Sequence, residues 1–422
     1  MEKERTCLCI DLKSFYASVE CVDKGLDPLS ALLVVADPDR SEKTICLAIT
    51  PAMKALGIRN RCRVFEIPKG VKYTMAKPRM QRYIDVSADI YAVYLRYVAK
   101  EDIHVYSIDE VFMDVTDYLD LYKTSAKELA KRIIQDVYDS TGITATAGIG
   151  SNLYLAKIAM DITAKHVEDH MGILDEKSFI ETLWDHRPLT DFWRIGPGTV
   201  ARLEKYGIRT MRDIAKADED LLYKMFGIDA ELLIDHAWGR ESTTIADIKA
   251  YKPMNNSLSS GQVLPRDYGY DDGLLLCKEM AELMCLELVD KGLITQSITI
   301  MLGLSKGGPE GHVNGSIKMT GATSSSKTIL PYIEQLYKQI MHETYSIRRI
   351  GISFNNVIDE AYVQYDLFSD PIELEKERRL QKAMISVQSK YGKNAILKGM
   401  NLDKRGTTRE RNRQIGGHSS GI

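Results

Sequence analysis

Three acids carry the chemistry open to this sequence. Asp109 and Glu110 are adjacent in Tyr106-Ser107-Ile108-Asp109-Glu110-Val111-Phe112-Met113-Asp114, and Asp11 ends the apolar run Thr6 to Leu12. Adjacent carboxylates at a strand turn repel each other unless a cation lies between them. Alone, an Asp-Glu pair is most often a solvated acidic hairpin. A third acid at the same place changes the reading, because Mg2+ favours one or two carboxylates together with phosphate oxygens. Two such ions about 4 Å apart can clamp the attacking and leaving oxygens of a phosphoryl transfer.

Asp11 reaches the pair only if the first part of the chain folds accordingly. The run ending at Asp11 reads as a strand, and Lys13 to Glu20 as a turn into a short helix. Leu32 to Ala36 and Ile45 to Ile49 read as strands. Thr50-Pro51 then opens a short helix that Gly57 ends. Tyr83, Val86, Ile90, Val93, Tyr94 and Tyr97 recur at helical spacing, which predicts a long helix over 79–100. Strands over 103–108 and 111–115 follow, then a helix over 125–138 and a strand over 143–149. With residues 21–76 set aside, the order is strand, helix, strand, strand, helix, strand, the ferredoxin-like unit. Its right-handed crossover makes the first two strands parallel, so Asp11 and the 109–110 turn share one sheet edge. The competing reading is a regulatory ferredoxin-like domain with a chance acidic edge.

Composition sets the frame. A chain of 422 residues has room for two to four domains. A net charge of −3 supplies no global field toward nucleic acid, so such binding must rest on local patches. The seven cysteines are scattered without a CxxC, as expected for a reducing compartment. Neither a signal peptide nor a membrane-length apolar run is visible, so the expected location is cytoplasmic.

Four stretches in series resemble the Y-family, or translesion, DNA polymerases, most closely their UmuC-like branch from Gram-positive bacteria and their phages. They are Asp11-Leu-Lys-Ser-Phe-Tyr-Ala-Ser-Val-Glu20, Lys54-Ala-Leu-Gly57, Tyr106-Ser-Ile-Asp-Glu110 and Gly148-Ile-Gly-Ser-Asn-Leu-Tyr-Leu-Ala-Lys-Ile-Ala159. The resemblance implies an α+β multidomain architecture. A ferredoxin-like palm (1–20 and 77–168) would carry a small fingers insert (21–76). A helical helix-hairpin-helix thumb (169–245), a linker (246–256) and a C-terminal α/β little finger (257–360) would follow.

It also implies roles. Asp11, Asp109 and Glu110, with the Leu12 carbonyl, would hold two Mg2+ ions. Tyr16 would be the sugar gate, its ring leaving no room for a 2′-hydroxyl. Phe15, Thr50, Lys54 and Lys165 would contact the nucleotide. Two positions depart from the pattern. Pro51 replaces a phosphate-binding tyrosine, with Lys54 where an arginine is usual. Ala164 replaces a lysine, with Lys165 one position late. Seven basic residues from Arg59 to Arg79 face a single acid, Glu66, and beside a triphosphate site they would guide nucleotide or template.

Phe192 to Ala201 resembles a helix-hairpin-helix whose Gly196 and Gly198 would let the backbone approach a DNA phosphate. Beyond the linker, strands are expected over 257–263, 296–304, 313–319 and 349–357, with helices over 271–291 and 328–344. Ser324 to Lys327 is a further candidate phosphate contact. In Gln364-Tyr365-Asp366-Leu367-Phe368, which resembles the peptide that holds the bacterial sliding clamp, Gln364, Leu367 and Phe368 would make the contacts. The Gly- and Arg-rich end is expected to be mobile by itself. Implied partners are primer-template DNA, dNTP and the clamp, with room for a recombinase or other accessory protein. The implied reaction is error-prone, template-directed synthesis past damaged bases. A non-catalytic clamp-tethered DNA-binding protein and a nucleotide cyclase on a similar core are the alternatives.

Overall fold

Alternation along Cys7–Leu12 decides how the first sheet is layered. Cys7, Cys9 and Asp11 face one side and Leu8 and Ile10 the other, and residues 7–10 are wholly buried, so both sides are covered. The computed structural model describes residues 4–253, 256–309, 311–362 and 370–421. They form two compact units, Met1–Tyr251 with Ser419–Ile422, and Lys252–His418.

In the first unit the strand order is Ile103–Val105, Glu110–Asp114, Cys7–Leu12, Ala145–Gly150 and Met171–Leu174. Neighbours are antiparallel except the last pair, which is parallel. The first four strands have the ferredoxin-like order that the sequence predicts. Helix Met80–Tyr94 packs on Ala126–Thr141, which Ser125 caps at its start and Gly142 ends in a left-handed conformation. Helix Leu153–Asp161 covers the opposite face, where Leu153, Ala156 and Met160 meet Cys7, Cys9 and Phe112.

That helix lies almost on the strand backbone. A Cβ at Gly148 would fall 2.0 Å from the Ala156 carbonyl oxygen, and one at Gly150 2.2 Å from the Ala156 nitrogen. At Gly172 it would fall 2.1 Å from the Ala159 oxygen. Only glycine permits this approach.

The insert forms a separate small sheet, ordered Ala48–Ile49, Leu33–Val35, Thr74–Ala76, over a core that includes Val34, Ile49, Met53 and Ile67. Five helices between Glu176 and Ala237 enclose another core around Phe179, Phe192, Leu203 and Leu222.

Several boundaries differ from the sequence reading. The first strand of the acidic hairpin stops at Val105, because residues 106–109 form the turn. The long helix ends at Tyr94. Strand Met171–Leu174 and helix Thr116–Tyr122 were not anticipated. The expected linker begins late: Ile245–Ala250 is a helix with a Thr244–Asp247 capping box, and Ile245 is buried beside Cys7 and Cys9.

The second unit has a five-stranded antiparallel sheet, with His312–Thr323, Leu293–Lys306, Ser346–Asn355 and Ser257–Tyr268 in order and the short Ile358–Asp359 also pairing with Leu293–Lys306. Helices Tyr270–Lys291 and Ser326–Ile340 cover one face around Leu276, Met280, Ile333 and Phe354.

Its C-terminal part overturns two expectations. The Gly- and Arg-rich end is ordered. Glu279, almost fully buried, accepts from the Thr407 N–H at 2.9 Å and from the Asn401 side chain at 3.0 Å. A buried carboxylate needs such donors, and the tail supplies them. Ser324 to Lys327 is not free for phosphate either. The Ser325 and Ser326 hydroxyls and the Lys327 N–H all donate to Glu377 of helix Pro371–Tyr391. Among the described residues, no helix is long and apolar enough to cross a membrane.

Candidate active site

Register brings the acids together. In the antiparallel pair Cys7–Leu12 and Glu110–Asp114, Asp11 stands directly opposite Glu110, so their side chains share a face. The Leu12 N–H donates to the Asp109 carbonyl at 2.9 Å, which joins the strand end to the turn. All three carboxylates therefore lie on one rim.

They do not converge into a ready-made cage. Among the described residues, no three His, Cys, Asp or Glu side chains stand close enough to hold an ion as oriented. Each of the adjacent acids has a protein partner instead. Asp109 Oδ1 accepts from the Ser107 hydroxyl at 2.6 Å. Glu110 Oε1 lies 2.8 Å from the Lys157 ammonium and 3.3 Å from Cys9 Sγ.

Lys157 is the residue that the sequence reading passed over. It is buried on the helix face over the sheet and also pairs with Asp161 at 3.0 Å. Burial disfavours its charge, but Asp161, Cys9 and Glu110 around it raise its pKa above the ordinary lysine value. The signal was there: one lysine inside the otherwise apolar run Leu153 to Met160, just after Gly148-Ile-Gly150, must be buried and must find an acid.

Electrostatics mark the rim as short of positive charge. Burial, then the charges of Asp109 and Glu110, push the Asp11 carboxyl up to about 7, and Lys157 only partly offsets them. Burial likewise raises Glu110, against the pull of Lys157. Oxygen donors held in mutual repulsion fit a hard divalent cation, which would relieve all three. The donor chemistry thus suits Mg2+.

The remaining predicted residues separate into two groups. The Tyr16 ring stacks on Tyr83 with centroids 4.4 Å apart, and burial and the nearby Asp109 raise its hydroxyl pKa. Tyr83 is fixed from behind, its hydroxyl 2.9 Å from Glu20, which also accepts from Arg79 at 2.8 Å. Lys54 lies within electrostatic reach of Asp11 and Lys165. Ala164 is fully buried beside Gly172, where a lysine would not fit, and Lys165 is exposed; the packing accounts for that departure. Gly196 and Gly198 have open space where a Cβ would be.

Three expectations need correction. Thr50 is not available to phosphate: it is wholly buried, and its hydroxyl bonds the Leu33 backbone. Phe15, 2% exposed, is a core aromatic rather than a nucleotide contact. Part of the basic run is neutralised internally, Arg79 by Glu20 and Asp23, and Lys77 by Asp39. Gln364, Leu367 and Phe368 lie outside the described residues.

Comparison with known proteins gives consistent results along the chain. The sequence signature of the impB/mucB/samB family matches residues 10–161, and that of the family's C-terminal domain matches residues 255–367. A curated relative from Bacillus subtilis (strain 168), named "Putative UV-damage repair protein UvrX", is 32% identical over 99% of this chain and 98% of its own length. DNA polymerase IV 2 of the same organism is 30% identical over 99% of this chain and all of its own. A solved Y-family DNA polymerase chimera, Dbh-Dpo4(243-245)-Dbh, is 21% identical and shares the fold, with a TM-score of 0.65 over 84% of this chain and 99% of that one. The chain belongs to the impB/mucB/samB family, the Y-family DNA polymerases.

Proposed function

We propose that the protein is a translesion DNA polymerase that adds dNTPs to a primer 3′ end, with two Mg2+ ions held by Asp11, Asp109 and Glu110. One observation carries the residue assignment: these acids occupy a single rim, where burial and then the charges of Asp109 and Glu110 raise the Asp11 carboxyl to about 7, with Lys54 within electrostatic reach of it. Bound there, Mg2+ supplies Lewis-acid polarisation of the attacking hydroxyl and neutralises triphosphate charge.

The chain's own groups do the rest. Lys54 and Lys165 bind phosphate oxygens as point charges. Tyr16, backed by Tyr83, closes the sugar pocket against a 2′-hydroxyl. Lys157 pulls the Glu110 carboxyl down against the effect of burial. Residues 1–20 and 77–168 then serve as the palm, 21–76 as the fingers and the helices beyond as the thumb. Open backbone at Gly196 and Gly198 grips the duplex without reading sequence.

The exposed face of the second unit's sheet is a separate candidate surface for DNA. Ser259 and Ser353 pair across strands at 2.7 Å, as do Thr299 and Ser316 in the same cross-strand row, with the facing Gly261 and Gly351 two residues along and Lys318 and Arg349 on the same face. Small hydroxyl residues and glycines let phosphates come close, and the two cations attract them.

Asp109→Ala should lower primer extension at least ~1000-fold while DNA binding persists. Extension near the wild-type rate would remove Asp109 from the metal site. For Tyr16→Ala, preference for dNTP over the matching ribonucleotide should fall by about 100-fold, and unchanged discrimination in single-nucleotide insertion would end the gate role.

The raised Asp11 carboxyl makes a thermodynamic prediction. Between its ordinary value of 3.8 and its folded value of about 7, the folded state binds the extra proton. This group's contribution to stability therefore declines as pH rises through that window. Relative to Asp11→Asn, metal-free protein should lose thermal stability from about pH 4 to about pH 7. Added Mg2+ should restore more of it at pH 8 than at pH 6, since the carboxylate must be ionised to bind. A melting temperature that Mg2+ leaves unmoved at both pH values would speak against a cation on this rim.

We also assign Gln364, Leu367 and Phe368 to the sliding clamp, on sequence alone, with both apolar side chains entering a pocket of the clamp. Phe368→Ala should abolish capture of the protein by immobilised clamp; equal capture would make the peptide incidental.

A further inference from the structure

The turn that carries Asp109 and Glu110 is held from three directions. From inside, the Leu12 N–H binds the Asp109 carbonyl at 2.9 Å. From helix Met80–Tyr94, the Ser87 hydroxyl donates to the Ile108 carbonyl at 2.6 Å. The third hold comes from the helical part of the unit. The Trp193 indole N–H donates to the Tyr106 hydroxyl at 3.1 Å, and the two rings meet edge to face with centroids 5.8 Å apart. Tyr106 is itself part of the turn: its N–H and that of Ser107 both donate to the Glu110 carbonyl.

The third hold differs from the others in where it leads. Trp193 directly precedes Arg194, which is exposed, stands over the indole ring at 5.0 Å and has φ 70, a left-handed conformation unfavourable for a residue other than glycine. Ile195 then leads into the open backbone at Gly196 and Gly198. On its other side Trp193 lies 6.0 Å from Phe112 of the sheet and 6.3 Å from His236, which stacks on Tyr154 at 3.8 Å. Tyr154 belongs to the helix that brings Lys157 to Glu110. One aromatic group thus touches the catalytic turn, the sheet beneath it and the base of an exposed arginine.

We propose that Trp193 is a positioning residue which, through Tyr106, couples the grip of residues 194–198 on the primer-template duplex to the placement of the turn bearing Asp109 and Glu110. This rests on the polymerase reading above. A duplex phosphate drawn to Arg194 would load the ring on which that guanidinium stands, and the indole N–H would transmit the load to the Tyr106 hydroxyl. Tyr106 is 46% exposed, so a neutral hydrogen bond there adds little to folding. Its effect falls on geometry, where displacements below an ångström change rate strongly.

Tyr106→Phe removes only the hydroxyl, and Trp193→Phe removes the N–H together with part of the indole while keeping a smaller ring. Each is compared with wild type on two primer-templates, one with a duplex too short to reach residues 194–198 and one extending past them. The expected wild-type result is a kcat about tenfold higher on the long duplex, with KM for dNTP little changed. In either variant the ratio of long-duplex to short-duplex kcat should approach one, and the double variant should be no worse than the singles. If both variants lose the same factor on both duplexes, the bond only supports the fold and the coupling is wrong. A wild-type ratio preserved in the variants overturns it equally. Wild-type protein that extends neither duplex overturns the polymerase reading and the inference with it, whereas normal extension without dependence on duplex length overturns the inference alone.

Discussion

Helix Leu153–Asp161 comes directly against strand backbone at three glycines, and the site follows from that contact. Gly148, Gly150 and Gly172 leave no Cβ beneath it, so its carbonyl and amide groups come almost against the strands. A surface this close excludes water from whatever it covers. It covers the face on which Asp11 and Glu110 must lie, since the two-residue period places them with Cys7 and Cys9. Lys157 is the one cation the helix carries into this dry space. An ammonium so buried is tolerable only with acids in contact, and Glu110 and Asp161 provide them.

The same contact explains why the rim is poised rather than closed. A lone buried lysine cannot balance Asp11, Asp109, Glu110 and Asp161 together. It satisfies Glu110 and leaves Asp11 with a carboxyl that ionises only near neutrality. The remaining imbalance is what a divalent cation accompanying a triphosphate can remove. On the proposed metal assignment, Glu110 would be shared between Lys157 and a cation.

Much of this was legible in the sequence, for identifiable reasons. The strand ending at Asp11 and the strand-helix order of the first unit depend on local pattern, and both read correctly, so the three acids could be placed on one edge. Side-chain direction was less accessible. Nothing local distinguishes Thr50 turned inward to Leu33 from Thr50 facing a phosphate, or a buried Phe15 from one facing a nucleotide. The exchange at 164 and 165 shows the converse. It looks like a slip in the pattern, yet position 164 is inside, pressed against Gly172, and position 165 is outside. The ordered C-terminal end escaped notice because its anchor, Glu279, sits on a helix far upstream whose buried acid gives no local sign of needing a partner.

That anchor bears on how the second unit can vary. Asn401 and the Thr407 amide are the groups that make Glu279 tolerable inside the helical layer, so the last turns of the chain are a structural plug rather than an appendage. A chain cut short before residue 401 would leave a carboxylate facing oil. It could recover only by admitting water or taking up a proton, and either change would loosen the two helices that back the sheet.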